Sequence, residues 1–168
     1  MALAYFITFT TYGTWLHGSA KGSVDDAHDV YGMPFVEADA ERERHEREAM
    51  TQAAYVMSAR EREIACEAMV ELARDKGWDI LAVHVRSNHT HVVVSAEREP
   101  KRLMSDLKGR ASRNLTRAGF DDAERRRWTR DGSARHLFRE EDVEAAIRYT
   151  LDEQGERMAW YAKEPRTK

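Results

Sequence analysis

The chain has 168 residues, 42% of them hydrophobic and 34% charged, with a formal net charge of −3 and one cysteine; this length suits one well-buried core, so a single domain over 1–168 is expected. The lone Cys66 excludes an internal disulfide and a multi-cysteine zinc cage, and inside a helical pattern it reads as a small buried thiol. No apolar run is long enough to span a bilayer, and Met1-Ala2-Leu3-Ala4-Tyr5 lacks the basic segment of a secretory signal, so a soluble cytoplasmic protein with no membrane partner is expected.

Tyr5 to Tyr12, dense in aromatic and β-branched residues, predicts a first, buried strand stopped by Gly13. Residues 19–57 follow as a loop excursion or insert, within which the mixed-charge run Glu41 to Glu48 fits a solvated helix. Ser58-Ala59-Arg60-Glu61 has the capping-box pattern and opens a helix through Lys76, ended by Gly77, with Ile64, Ala65, Ala68, Met69, Leu72 and Ala73 forming its buried stripe. Trp78 to Arg86 reads as a second strand. Ser87-Asn88 then turns into a third, His89-Thr90-His91-Val92-Val93-Val94.

Pro100 precedes a helix over Lys101 to Ala118, apolar along Leu103, Leu107, Ala111 and Leu115. Trp128 to Phe138 is expected to form a short hairpin about Asp131-Gly132, whose second arm is a fourth strand. Glu140 to Gly155 closes the series as a helix, followed by a Trp160-Tyr161 anchor. The order β-α-β-β-α-β plus a final helix is that of an α+β ferredoxin-like sandwich. The expected architecture is an antiparallel four-stranded sheet with helices on one face and a C-terminal helix bearing Tyr149.

The chemistry concentrates at His89-Thr90-His91. Residues i and i+2 of a strand share a face, so both imidazoles point the same way, and a divalent cation would satisfy both. Without a thiol cage, Mg²⁺ or Mn²⁺ fits this donor set better than zinc, with water and phosphate oxygens completing the shell. Tyr149 falls at about 240° on a helical projection from Val143, off the apolar stripe of Val143, Ala146, Ile147 and Thr150. Glu153 projects near it, at about 280°, and Gln154 at about 20° unless the helix frays before Gly155; either is a candidate third ligand. Paired histidines, a metal and a tyrosine suggest a phosphodiester-cleaving site, in which the cation compensates for the weak nucleophilicity of a phenol with a reference pKa of about 10.

Charge is uneven along the chain. From Lys101 to Arg135 eleven basic residues face five acidic ones, and Lys101, Arg102, Lys108, Arg110, Arg113 and Arg117 of the basic helix are candidate phosphate contacts. Trp15, with His17 and Trp128, is a candidate for stacking unpaired bases.

Together these segments resemble the single-tyrosine HUH transposases, the insertion-sequence-200-like and REP-associated tyrosine transposase group. The motifs are Tyr5 to Phe9 with Tyr12-Gly13-Thr14-Trp15-Leu16-His17-Gly18, then Val85 to Val94, Met104 to Lys108, and Arg148-Tyr149-Thr150-Leu151 with Gln154-Gly155. The resemblance implies a ferredoxin-like HUH endonuclease with a divalent metal at His89 and His91. It also implies transposition or recombination of hairpin-forming single-stranded DNA, with Tyr149 cutting to leave a 5′-phosphotyrosine and a free 3′-hydroxyl. Thr90 stands where the family carries a bulky apolar residue, and Glu153 where it carries an amide, with Gln154 one further on. Whether Tyr149 serves its own histidines or those of a second subunit in a homodimer is open, and a catalytically silent, domesticated hairpin-binding protein is the alternative reading.

Overall fold

The structure, a computed structural model, describes residues 1–14 and 40–165; Trp15, His17 and residues 19–39 of the expected excursion lie outside the described residues. Five antiparallel strands form one sheet: β1 (Ala4–Thr10), β2 (Asp79–Val85), β3 (His89–Ser95), β4 (Ser133–Leu137) and β5 (Ala159–Ala162), ordered β4-β1-β3-β2-β5. The helices are α1 (Ala40–Ala49), α2 (Ala59–Lys76), α3 (Pro100–Arg117) and α4 (Glu140–Asp152). The architecture is the expected α+β sandwich, with one strand more than the four read from the sequence. That extra strand is β5, the four residues 159–162 around Trp160-Tyr161, too short to carry a periodic signal. It pairs with the free edge of β2.

Alternation along the strands builds two cores. Ile7, Phe9, Val83, Val85, Val92 and Val94 pack with Ala65, Ala68, Met69 and Leu72 of α2 and Leu103, Leu107 and Ala111 of α3. On the other face Ala4, Ala82, Val93 and Leu137 meet Ala146 and Leu151 of α4, with Phe6, Leu81, Val143 and Ile147 at the margin. A register shift between Ile80 and Ala82 lets Leu81 and Ala82 both serve the second core while Ile80 and Val83 serve the first. The helices thus divide between the faces: α2 and α3 lie on one, and the tyrosine helix alone covers part of the other.

Local signals explain the helix ends. Ser58 and Glu61 close a reciprocal capping box on α2, and Glu61 also accepts the Tyr55 hydroxyl at 2.5 Å. Tyr55 and Met57 are buried, with Tyr55 N donating to Tyr12 O and Met57 N to Ser87 O, so the last residues before α2 belong to the core. Helix α1 buries no side chain, as its charge run predicts. Cys66 is buried, and burial pushes its thiol up to about 12.

The hairpin expected about Asp131-Gly132 does not form. Residues 128–132 instead run beside the end of β1, through a bridge between Thr11 and Trp128 and a bond from Thr129 N to Thr10 O, and β4 pairs with β1. Two expected nucleic-acid contacts are also corrected. Lys108 is buried, its ammonium donating to the carbonyls of Thr129, Arg130 and Asp131, and burial lowers it to about 8; it organises this loop and does not face solvent. Trp128, partly buried, packs edge-on to Phe9 at the margin of the core and donates its indole N–H to Lys108 O and Ser112 Oγ. Among the described residues no helix is long and apolar enough to cross a membrane.

Candidate active site

Directly paired residues of neighbouring strands share a face, so register alone writes out a row across the sheet: Ser133, Thr8, His91, His84 and Trp160. The next row is Arg135, Phe6, Val93, Ala82 and Ala162, largely apolar. Helix α4 covers this second row and stops near the polar one, because its buried stripe ends with Thr150 and Leu151. One half of the face is therefore dry and the other half holds the imidazoles.

His89 and His91 stand with ring centroids 5.0 Å apart. The Tyr149 ring lies 5.6 Å from that of His91 and edge-on to Phe6 at 5.7 Å, and Phe6 stacks on His91 at 5.6 Å. Phe6 thus separates the histidine and tyrosine from the dry core and supports both. Tyr149 remains 41% exposed while His91 is 5% exposed, so the phenol can meet a polymer from solvent and the imidazole behind it is shielded.

Asn88 Oδ1 sits 2.7 Å from His89 Nδ1. A carbonyl oxygen only accepts, so Nδ1 carries the proton and Nε2 carries the lone pair. His91 Nδ1 lies 2.8 Å from Thr8 Oγ1, and its Nε2 lies 3.1 Å from Gln154 Oε1. Because a hydroxyl both donates and accepts, Thr8 suits either tautomer. In one, His91 donates to Gln154 from Nε2. In the other, Nδ1–H donates to Thr8, and Nε2 and the Gln154 oxygen become two lone-pair donors aimed at a shared cation, as in metal-bound imidazoles whose second nitrogen is held by an acceptor.

Burial holds His91 down to about 3, with the neighbouring His89 ring adding to it, and burial likewise lowers His89 and His84. Neutral rings, the ligand form, are therefore present at pH 7. The residues fit a hard divalent ion: two imidazoles, one amide oxygen, and an open side toward Tyr149. Among the described residues no group of three His, Cys, Asp or Glu side chains converges; beside the two imidazoles the side-chain oxygen nearest His91 Nε2 is that of Gln154.

The two candidate third ligands separate clearly. Helix α4 ends at Asp152, and Glu153 leaves helical geometry at φ −106°, ψ 12°. Gln154 therefore does not continue the helical projection; it folds back, its amide N–H donating to Tyr149 O at 3.3 Å and its oxygen facing His91, and it also engages the His89 ring. Glu153 points out to Arg148 at 3.7 Å, both half exposed or more. Gly155 follows at φ +81°, a left-handed position that makes the turn at low cost only for glycine.

Of the expected phosphate contacts, Lys101, Arg102, Arg113 and Arg117 are exposed on α3, and Arg110 pairs with Asp75 at 2.6 Å and Glu71 at 4.0 Å of α2. All belong to the helical layer across the sheet from the histidines. Basic residues on the site's own face include Arg86, whose guanidinium donates to Glu156 O at 2.9 Å, Arg135 beside Phe6, and Arg148. Sequence reasoning missed Thr8, His84 and Arg86. The usable signal for Thr8 was the alternation of Phe6, Thr8 and Thr10 against Ile7 and Phe9.

Residues 50–149 match the model of a family described as IS200-like transposase, a span that contains both histidines and ends on Tyr149. No curated protein sequence matches the chain. Among solved structures it is similar to a REP-associated tyrosine transposase bound to a REP hairpin, at 10% identity and a TM-score of 0.48, covering 89% of this chain and 66% of that one; the chain thus spans slightly less than two thirds of that neighbour's length. It is also similar to a candidate transposase from Deinococcus radiodurans R1, at 11% identity and a TM-score of 0.45, covering 86% of each chain. With its family model matched over more than half of its length, the chain belongs to the IS200-like transposase family.

Proposed function

We propose that this transposase cuts and transfers hairpin-forming single-stranded DNA through a covalent tyrosine intermediate, with all the reacting groups supplied by one chain. The observation that carries the reading is the ring of Tyr149 at 5.6 Å from His91, beside a neutral histidine pair and an amide oxygen. His89 and His91 through Nε2, and Gln154 through Oε1, would hold Mg²⁺ or Mn²⁺. When bound, such an ion polarises a phosphate oxygen and stabilises charge on the departing 3′-oxygen.

The chain's own residues do the rest. Asn88 and Thr8 orient the two rings, and Phe6 excludes water from behind His91. The Tyr149 oxygen attacks phosphorus, its proton passing to solvent on the exposed side. The bond from phosphorus to the 3′-oxygen breaks, and that oxygen takes a proton to become a free 3′-hydroxyl. The 5′ end stays on tyrosine as a phosphodiester, so the linkage is conserved for rejoining to another strand. Arg86, Arg135 and Arg148 border the face on which a strand would lie, and the exposed arginines and Lys101 of α3 are left for more distant phosphates.

The test is incubation of the purified protein with labelled hairpin oligonucleotides and Mn²⁺, followed by a denaturing gel. A protein-linked band is expected from the wild type and none from Tyr149→Phe, which should still retain the hairpin in a native gel. Retention without any linked band in the wild type would instead indicate a silent binding module.

A further inference from the structure

His84 is fully buried in the same sheet row as His91 and belongs to none of the groups assigned above. A buried imidazole needs partners for both ring nitrogens, and those it has are both backbone groups. Nδ1 lies 2.9 Å from Thr150 O, in the last turn of α4 and next to Tyr149. Nε2 accepts from Met158 N at 3.0 Å, just before β5. Only one tautomer suits both: an amide N–H cannot accept and a carbonyl cannot donate, so the proton is on Nδ1. The ring thereby joins the two ends of residues 151–157, the turn that carries Gln154.

We propose that His84 is a positioning residue of the transposase site, a latch that fixes the end of the tyrosine helix and the Gln154 turn against the His89–His91 pair of the same chain. The arginine contacts to this turn do not do the same. Arg86 reaches Glu156 O from a partly exposed side chain, and Arg157 holds Leu151 O and Asp152 within the turn itself. Among the described residues, His84 is the side chain that links the sheet row of the histidines to both flanks at once. Because Gln154 also bonds Tyr149 O, displacement at either flank moves the amide oxygen and the phenol together.

The inference rests on the nucleophilic reading of Tyr149, and the test separates the two. His84→Asn retains a donor for Thr150 O but is too short to reach Met158, whereas His84→Gln extends an acceptor to Met158. In His84→Asn the Met158 amide is expected to exchange with deuterium at least about tenfold faster, with β1 and β3 amides unchanged. Covalent-adduct formation should fall by about a hundredfold, the scale of a misplacement near 1 Å, while hairpin retention stays as in the wild type. His84→Gln should recover much of both losses, a ranking that general destabilisation would not give. Faster Met158 exchange with a wild-type adduct rate would overturn the positioning role, and so would unchanged Met158 exchange in His84→Asn. If the wild type forms no adduct at all, the reading of Tyr149 fails, while the exchange experiment still decides whether His84 holds the turn.

Discussion

At the scale of single residues, the polar half of the sheet face works because each imidazole has one nitrogen committed to a fixed oxygen: Asn88 for His89, Thr8 for His91, and the Thr150 carbonyl for His84. Which of the two candidate third ligands, Glu153 or Gln154, meets His91 follows from where the helix stops. A projection that continues α4 brings Glu153 toward Tyr149, but the helix ends at Asp152 and the turn delivers Gln154 instead. Gln154→Ala should therefore raise the Mn²⁺ concentration for half-maximal adduct formation by about tenfold or more, on the scale seen for lost metal-site contacts. Glu153→Ala, which removes only an exposed ion pair with Arg148, should leave it within about twofold. A metal titration of the two variants checks this, and the reverse ranking would move the ligand to the carboxylate. Thr90, by contrast, points away from the site into the α2–α3 core, where its hydroxyl is buried without a hydrogen-bond partner.

At the scale of elements, the strands β1 to β3 and the helices α2 to α4 were legible because each carries a full periodic signal: alternation around Ile7 and Phe9, the capping box at Ser58, and the stripe of Leu103, Leu107, Ala111 and Leu115. What stayed hidden depends on pairing between distant segments. Strand β5 pairs with the open edge of β2, and the loop before β4 is set by Lys108 reaching three of its carbonyls from α3. Which face a helix covers is likewise absent from its own sequence, so the basic residues of α3 gave no warning that they lie across the sheet from the histidines. The close approach of this loop to β1 has a testable consequence. A Cβ on Gly132 would come within 2.6 Å of the Thr8 carbonyl oxygen, so Gly132→Ala should cost about 1–3 kcal/mol through overpacking and weaken adduct formation by shifting Thr8 from His91. Urea denaturation alongside the gel assay measures both, and a fully stable variant would show that the strand spacing relaxes freely.

At the scale of the whole molecule, three buried or partly buried histidines stay neutral in the fold because burial lowers their affinity for protons. Their folded pKa values lie below the unfolded value of about 6.5, so the unfolded chain binds more protons as pH falls through that value. Stability is therefore full above about pH 6.5 and declines toward pH 3, where His91 itself protonates, each histidine contributing a slope of at most about 1.4 kcal/mol per pH unit. Denaturation midpoints at pH 7, 6 and 5 should fall in that order, and a flat profile over this window would mean that the imidazoles are not held neutral. The same shielding keeps the imidazoles neutral while the Tyr149 phenol stays exposed. The dry half of the face fixes α4, and the wet half uses its last turn.

In the proposed reaction the Tyr149 oxygen, next to its own chain's histidine pair, becomes the covalent link to DNA. The most direct measurement is protease digestion of the adduct formed on a hairpin oligonucleotide with Mn²⁺, followed by mass spectrometry of the nucleotide-bearing peptide. The phosphodiester is expected on Tyr149 in the wild type, with no adduct when Tyr149→Phe protein is mixed with His91→Ala protein. A nucleotide found on another residue would remove Tyr149 as the nucleophile, and restoration of the adduct in that mixture would place its histidines on a second chain.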